Sequence, residues 1–182
     1  MTPKYYLDIK AKAIDSETPA YAVLGKTMHV LHGAFSKSEH AGKFALCFPA
    51  SRQGAENRTV GDVIRIFASS SMELLLLLDS LKGHHVLRDY TSYTLPKEVP
   101  LDFSGTWSVW RRIRVQKKEG VNREKTIVRA TCAIFVEMRS SSGHSFPLRV
   151  LRDSGVKQVD DIIPSSYGLA NSDNLFSLPD VI

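Results

Sequence analysis

Strand-like and helix-like hydrophobic patterns follow one another through residues 4–93, and their order constrains the fold more than any other feature. Residues 4–12 alternate apolar and polar side chains, as a half-buried strand does. Pro19 then precedes residues 20–35, in which apolar side chains recur every three or four positions, as in an amphipathic helix. This apolar stripe consists of Leu24, Met28, Leu31 and Phe35.

Residues 43–93 predict three further strands and a second helix. The strands cover residues 43–48, 60–68 and 84–93. Ser70 and Glu73 have the spacing of a capping box, so a leucine-rich helix should begin there and end at Gly83. The resulting β-α-β-β-α-β order is that of the ferredoxin-like arrangement, and we therefore predict an α+β protein.

The second half of the chain has weaker periodicity. Pro96, Pro100 and Gly105 mark a linker, which predicts a ferredoxin-like domain over residues 1–95 and a smaller domain over residues 96–182. Residues 122–132 fit either a short basic helix or part of a strand. Residues 133–138 and 146–152 predict a hairpin around a serine-rich turn. The tail from residue 165 is too polar and broken for a regular element.

Positive charge is concentrated in one segment. The chain has 24 basic and 19 acidic side chains, a net charge of +5. Residues 106–130 alone have eight basic and two acidic side chains, so this segment holds the entire positive excess. Such a patch is typical of a polyanion-binding surface, and the alternative is a solvated basic face without a partner. Trp107, Trp110 and Gln116 favour nucleic acid, because aromatic rings stack on bases and amides bond to base edges.

Cysteine spacing and hydropathy argue against a zinc protein, a disulfide-rich secreted protein and a membrane-spanning protein. Cys47 and Cys132 form no zinc spacing and no disulfide framework, which fits a reducing compartment. The longest apolar run, residues 74–78, is five residues long and far too short to cross a membrane. No long apolar segment of the signal-peptide kind follows Met1. We therefore expect a globular cytoplasmic protein that does not associate with membranes.

Two histidines on the predicted first helix are candidates for acid–base chemistry. His29 and His32 are three residues apart and hence neighbours on the helix surface, and an ordinary histidine pKa near ~6.5 suits proton transfer at neutral pH. The alternatives are ordinary surface histidines, or metal ligands without a nearby third partner. The turn from Arg139 to Phe146 offers donors for a phosphate or ribose hydroxyl, or is simply a polar hairpin turn. No motif for a metal or cofactor occurs, so we expect neither.

Six segments in chain order carry a resemblance to a known family. They are KYYLDIKAK, VLGKTMHVLHGAF followed by FALCFP, IRVQKK, FVEMRSSSGHSF, and the tail SSYGLANSDNLF. In this order they resemble the CRISPR repeat-processing endoribonucleases of type I-F systems. The resemblance implies metal-independent cleavage of precursor CRISPR RNA beside the repeat hairpin, by 2′-OH attack to a 2′,3′-cyclic phosphate. It also implies that the protein stays on the 3′ hairpin of the mature guide, with the other subunits of a type I-F effector complex as partners.

The resemblance implies roles for individual residues. His32 would transfer a proton at the ribose 2′-OH, Ser140 would hold that hydroxyl and Tyr167 would position the histidine. His29 and Ser142 stay open as alternatives for the first two roles. Arg114 and Gln116 would read bases, and Phe146 would stack on the end of the RNA stem. The other predicted RNA contacts are Trp110, Arg111, Arg112, Lys117, Lys118, Arg123, Lys125, Arg129 and Arg139.

One departure from the family concerns the basic segment. Family members usually have a long arginine-rich helix before the active-site turn, whereas only eighteen residues separate Gln116 from Phe135 here. The helix should therefore be shortened to about three turns or replaced by a loop. Two other functions compete with the nuclease: a non-catalytic module that binds hairpin RNA, and a ferredoxin-like domain that binds a small ligand or regulates an enzyme.

Overall fold

The computed structural model describes residues 1–13, 18–53, 58–114, 121–140, 143–159 and 161–181. Within the helix at residues 121–132 it describes the side chains of residues 124, 126, 127 and 130–132. Across these described ranges, no helix combines the length and the apolar character needed to cross a lipid bilayer.

The first sheet is built from the N-terminal half. Its strands are β1 (Tyr5–Ala11), β2 (Ala45–Cys47), β3 (Val63–Ala68) and β4 (Thr91–Tyr93), and the short β5 (Lys97–Glu98) also pairs with β1. The strand order is β2-β3-β1-β4 with antiparallel pairing throughout. This is the ferredoxin-like order, which confirms the predicted α+β fold.

Two of the helices follow the sequence prediction closely. Helix α1 (Ala20–Phe35) begins after Pro19 and buries the predicted stripe, with Met28 and Leu31 fully inaccessible to solvent. Helix α2 (Ser71–Leu81) begins with the capping box, in which the Ser70 hydroxyl accepts the Glu73 N–H and the Glu73 carboxylate accepts the Ser70 N–H. Capping fixes the start of α2, and buried leucines hold it on the sheet.

The predicted strand over residues 84–93 is wrong for its first part. Residues His85–Tyr90 form the short helix α3, and only Thr91–Tyr93 pair with β1 as β4. The Nδ1 atom of His84 accepts the Val86 N–H at 3.3 Å and so caps the helix. Val86 and Leu87 are both buried, which one turn of helix allows, whereas a strand would send adjacent side chains to opposite faces.

The second sheet contains the predicted hairpin. Its strands are β6 (Trp107–Ile113), β7 (Ile134–Arg139), β8 (Ser145–Ser154) and β9 (Leu178–Pro179), in the order β7-β8-β6-β9. Strands β7 and β8 pair in register from Ile134–Val150 to Arg139–Ser145. Helix α4 (Val121–Cys132) lies between β6 and β7 in the chain, so the basic segment is a short helix rather than a strand.

Helix α1 also packs against the second sheet. A Cβ atom on Gly25 would lie 2.1 Å from the Glu137 carbonyl oxygen, so the helix backbone approaches β7 as closely as glycine permits. Buried side chains from both sheets and from α1 form one hydrophobic cluster, including Leu7, Leu31, Trp110 and Val136. The division of the chain at residue 95 stays a prediction. The close approach of α1 to β7 places His29 beside the strand that leads into the serine turn.

Candidate active site

His32 and Tyr167 lie against each other although they are far apart in sequence. Their rings stack with centroids 3.8 Å apart and an angle of 13° between planes. The guanidinium carbon of Arg112, on β6, lies 4.1 Å from the centre of the Tyr167 ring. Helix α1, strand β6 and the C-terminal tail therefore each contribute one side chain to a compact cluster of an imidazole, a phenol and a guanidinium.

A backbone carbonyl fixes the protonation pattern of His32. The Nδ1 atom lies 2.9 Å from the Ser166 carbonyl oxygen, which can only accept a hydrogen bond. Nδ1 therefore carries the proton, and in the neutral ring Nε2 holds the lone pair. His32 is half-buried, so this ring is oriented by packing and by one hydrogen bond. An imidazole oriented in this way is suited to accept a proton through Nε2.

The tail reaches this position through backbone hydrogen bonds to both sheets. The Gly168 carbonyl accepts the Leu46 N–H at 2.8 Å, and the Ala170 carbonyl accepts the Arg112 N–H at 3.0 Å. Gly168 has a φ of +69°, and a Cβ atom there would lie 3.0 Å from Leu46 Cγ. Only glycine fits this turn without strain. These contacts hold Tyr167 over α1 even though the tail has little regular structure.

A cavity of about 540 Å³ opens beside Tyr167. Arginine side chains of β6 and polar groups of the tail line it, and we call it the arginine cavity. Its lining includes Arg111, Arg112, Arg114, Thr126, Ser166 and Tyr167. Burial lowers the pKa of Arg112, with the neighbouring Arg114 adding to that effect and Tyr167 opposing it. Arginine still stays charged at neutral pH, so the cavity offers fixed positive charge.

Ser140 lies beside a second cavity, together with His29. This cavity has a volume of about 580 Å³ between α1, the start of α3 and the end of β7. We call it the histidine cavity; its polar lining includes Lys26, His29, His84, His85, Arg139 and Ser140. The Ser140 hydroxyl accepts the His144 N–H at 3.0 Å, which shapes the serine turn. His29 and His32 are neighbours along α1, so the histidine cavity begins one helical turn from the His32–Tyr167 stack.

The structure thus brings His32 together with Tyr167 and Ser140 together with His29. Arg114 is exposed, Phe146 is half-buried on β8 and Arg139 bonds through Nε to the Gly143 carbonyl at 3.2 Å. Ser142, Gln116, Lys117 and Lys118 lie outside the described residues. Arg123, Lys125 and Arg129 lie on α4, but their side chains are not among those described.

Trp110 requires a correction. The sequence suggested that its ring contacts RNA, but the residue is 1% exposed and packs edge-on against Phe48 in the core. Alternation along β6 explains this difference, because Ser108 and Trp110 are both buried on one face. Arg111 is also less available than predicted, since its guanidinium donates to Asp153 at 2.8 Å.

Sequence reasoning missed two features of these sites. The first is the Ser166 carbonyl, which no side-chain pattern reveals because its position depends on the backbone path of the tail. The second is the pair His84 and His85, which stack on each other with centroids 4.9 Å apart. Two adjacent histidines directly after Gly83 were a visible signal, but the strand assigned to residues 84–93 concealed their place at a helix start.

The fold and the cluster together describe a ferredoxin-like protein with a basic, histidine-containing site. A protein-family model described as CRISPR-associated protein (Cas_Csy4) matches residues 6–134. The match covers more than half of the chain, and the chain therefore belongs to the Csy4 family of CRISPR-associated proteins. At the family level this is a CRISPR RNA-processing protein of the nuclease class, and its partner is RNA.

The other comparisons add little. No curated protein matches the chain. One matching solved structure is described as "Crystal structure of Putative Chlorite dismutase TA0507", with 10% identity over 86% of this chain and 80% of that chain and a TM-score of 0.31. A likeness of this size carries no argument about fold or function.

Proposed function

We propose that this protein is a metal-independent endoribonuclease that cleaves precursor CRISPR RNA beside the repeat hairpin. The observation that carries the proposal is the stack of His32 on Tyr167 with Nδ1 bound to the Ser166 carbonyl, because it leaves Nε2 as the base of the neutral ring. Family membership supplies the substrate class, and the arginine cavity beside the stack supplies cations for a polyanion.

The reaction balances with groups of the protein and RNA alone. The 2′-OH attacks the adjacent phosphorus while its proton passes to Nε2 of His32. The P–O5′ bond breaks, the 5′-oxygen takes up the proton that His32 has accepted, and a 2′,3′-cyclic phosphate remains on the upstream product. Proton transfer by a positioned histidine contributes about 10²–10⁴-fold, and alignment of the attack contributes as much or more. In this proposal His32 accepts the proton and Ser140 holds the attacking hydroxyl. His29 is the alternative residue for the first role, and Ser142 is the alternative for the second.

The hairpin would lie over the arginine cavity. Arg114 and Gln116 would read bases, and Phe146 would stack on the end of the stem. The basic side chains of the α4 segment would contact phosphates. Cleavage beside the hairpin leaves these phosphate contacts intact, and the cations stay charged at neutral pH. The upstream product would therefore stay bound, as a 3′ hairpin carried into a type I-F effector complex requires.

Cleavage of the host's own repeat transcript tests the proposal. We expect a single cut whose upstream product ends in a cyclic phosphate, with the same rate in magnesium and in EDTA. His32→Ala should lower the cleavage rate by about 10²–10⁴-fold while hairpin affinity changes by less than ~1 kcal/mol. Binding without any cut would make the protein a hairpin-binding module, and rescue of an EDTA-inhibited reaction by magnesium would contradict the metal-free mechanism.

His29→Ala is the matched control, because it removes the same side chain one helical turn away. We expect it to leave the His32–Tyr167 stack intact and to retain far more activity than His32→Ala. The opposite ranking of the two variants would move the proton-transfer role to His29, which lies with Ser140 beside the histidine cavity.

A further inference from the structure

The histidine cavity has no role in the hairpin contacts proposed above. It lies one helical turn along α1 from the His32–Tyr167 stack, and Ser140 forms part of its edge. Its wall is apolar over most of its area, with Ala22, Val30 and Val86 among the lining residues. Tyr21, which is 59% exposed, lies at the same cavity and presents an aromatic ring. A nucleotide has the matching combination of an apolar flat base and an anionic phosphate.

The charges that face the paired histidines favour an anion. From α1 they are Lys26 and His29, from β7 they are Glu137 and Arg139, and on α3 itself Asp89 lies near His85. Two fixed cations thus line the cavity against one carboxylate before any imidazole is protonated. Burial lowers the pKa of His84, and the positive charges of His85 and His29 lower it further. A phosphate placed beside His84 would oppose these positive charges and favour the protonated form of its ring.

We propose that the histidine cavity binds the first nucleotide of the RNA strand downstream of the cut, with His84 and His85 as donors to its phosphate. This inference rests on the proposed function, in which the hairpin is retained and the downstream strand leaves with a free 5′-OH. The two cavities differ in the charged groups that would hold RNA, and this difference fits the retention of the hairpin and the release of the downstream strand. In the arginine cavity the groups that hold the retained product are arginines, whose charge is permanent. In the histidine cavity the proposed donors to the phosphate are imidazoles, whose charge depends on pH, so the departing strand would bind weakly and be released.

Binding of two RNA probes tests the inference. Both are the host's repeat hairpin with a 2′-deoxy nucleotide at the cleavage position, which blocks cutting. One probe ends at that position, and the other continues with several downstream nucleotides. We expect wild-type protein to bind the extended probe about fivefold more tightly at about pH 6, the size of one modest charge-assisted contact, and to lose most of this preference at about pH 8.

The test variant is His84→Asn with His85→Gln, since asparagine keeps a side-chain acceptor at the start of α3. This variant should bind both probes equally at either pH, with unchanged affinity for the short probe. Arg88→Gln is the matched control, because it removes a cation from the same helix without lining the cavity, and it should behave as wild type. His85→Gln alone, at an exposed position, keeps the test valid if the double variant unfolds.

The possible results of this experiment distinguish a failure of the proposed nucleotide site from a failure of the proposed nuclease function. Equal affinity of wild-type protein for both probes would overturn the inference, as would a double variant that keeps the preference. A double variant weakened equally toward both probes would show that the cavity contacts the hairpin and would also overturn it. In each of these cases the unblocked transcript is still cut. If wild-type protein neither binds the hairpin nor cuts it, the proposed function itself fails.

Discussion

The ring of Tyr167, rather than its hydroxyl, makes the contact with His32. The two planes lie 3.8 Å apart between centroids and nearly parallel, so the phenyl face limits the orientations of the imidazole. We expect Tyr167→Phe to keep the cleavage rate within about threefold, and Tyr167→Ala to lower it by about 10²-fold, because small misplacements of a reacting group are costly. Single-turnover cleavage of the repeat transcript measures both variants. A Tyr167→Phe variant as slow as Tyr167→Ala would show that the hydroxyl is required.

His84 should make the stability of the protein depend on pH. Burial, followed by the positive charges of His85 and His29, lowers the pKa of His84 in the folded state. The unfolded chain therefore takes up this proton more readily, and the free energy of unfolding falls as pH drops from the ordinary histidine pKa of ~6.5 towards the lowered value. Above that window the neutral ring adds its full share of stability.

His84→Asn tests this prediction, since asparagine retains an acceptor for the Val86 N–H but does not titrate. Urea unfolding at several pH values between about 7 and 5 should show a smaller loss of stability in the variant than in wild-type protein. Parallel curves for the two proteins would mean that His84 does not contribute to the pH dependence.

Among the contacts between helices and strands, the one between α1 and β7 should tolerate substitution least. The 2.1 Å distance from a Gly25 Cβ position to the Glu137 carbonyl oxygen means that Gly25→Ala must displace the helix. We expect a loss of about 1–3 kcal/mol in the free energy of unfolding, together with slower cleavage, because α1 holds His32. Thermal or urea unfolding and the cleavage assay measure the two effects.

Gly33→Ala on the same helix is the control for this substitution. No atom lies within 4 Å of its Cβ position, so alanine should fit and raise stability by about 0.5–1 kcal/mol through its higher helix propensity. Destabilisation of similar size in both variants would indicate a general effect of glycine replacement, and not a specific clash with β7.

Local signals in the sequence predicted the helices and strands better than they predicted the contacts between them. The apolar stripe of α1 and the Ser70–Glu73 box located two helices because such patterns depend on neighbours within a few residues. Helix α3 was missed because its cap is a histidine, a residue that the usual capping patterns do not include. The approach of Gly25 to β7 and the path of the tail depend on contacts distant in sequence, which local patterns do not encode.

In the candidate site too, some residues could be named from sequence motifs, whereas others depended on the three-dimensional structure. Motif resemblance named His32 and Tyr167, and the structure places them in contact. It also named Trp110, whose burial follows from the face of β6 on which it lies. The Ser166 carbonyl and the His84–His85 pair came from the structure alone, because one is a backbone atom and the other depends on how α2 turns into α3.

Across the RNA-binding surface, the salt dependence of hairpin affinity should distinguish side chains that contact bases from side chains that contact phosphates. We expect hairpin affinity to fall linearly on logarithmic scales, by about 0.7–0.9 units per neutralised phosphate for each tenfold rise in salt. Arg114→Ala should weaken binding by about 1–3 kcal/mol with the slope unchanged if Arg114 reads a base. Arg88→Gln, which loses only an exposed pair with Asp89, should match wild type. A lower slope for Arg114→Ala would instead assign that side chain to a phosphate.

The tail that carries Tyr167 is joined by hydrogen bonds to Leu46 in one sheet and Arg112 in the other. Translation delivers the imidazole of His32 well over a hundred residues before the phenol that orients it. A nascent polypeptide that has completed only its ferredoxin-like portion therefore lacks the ring that, in the mechanism proposed above, orients His32. If the proposed mechanism holds, full activity toward RNA would begin only after the tail has been synthesised and has bonded to both sheets.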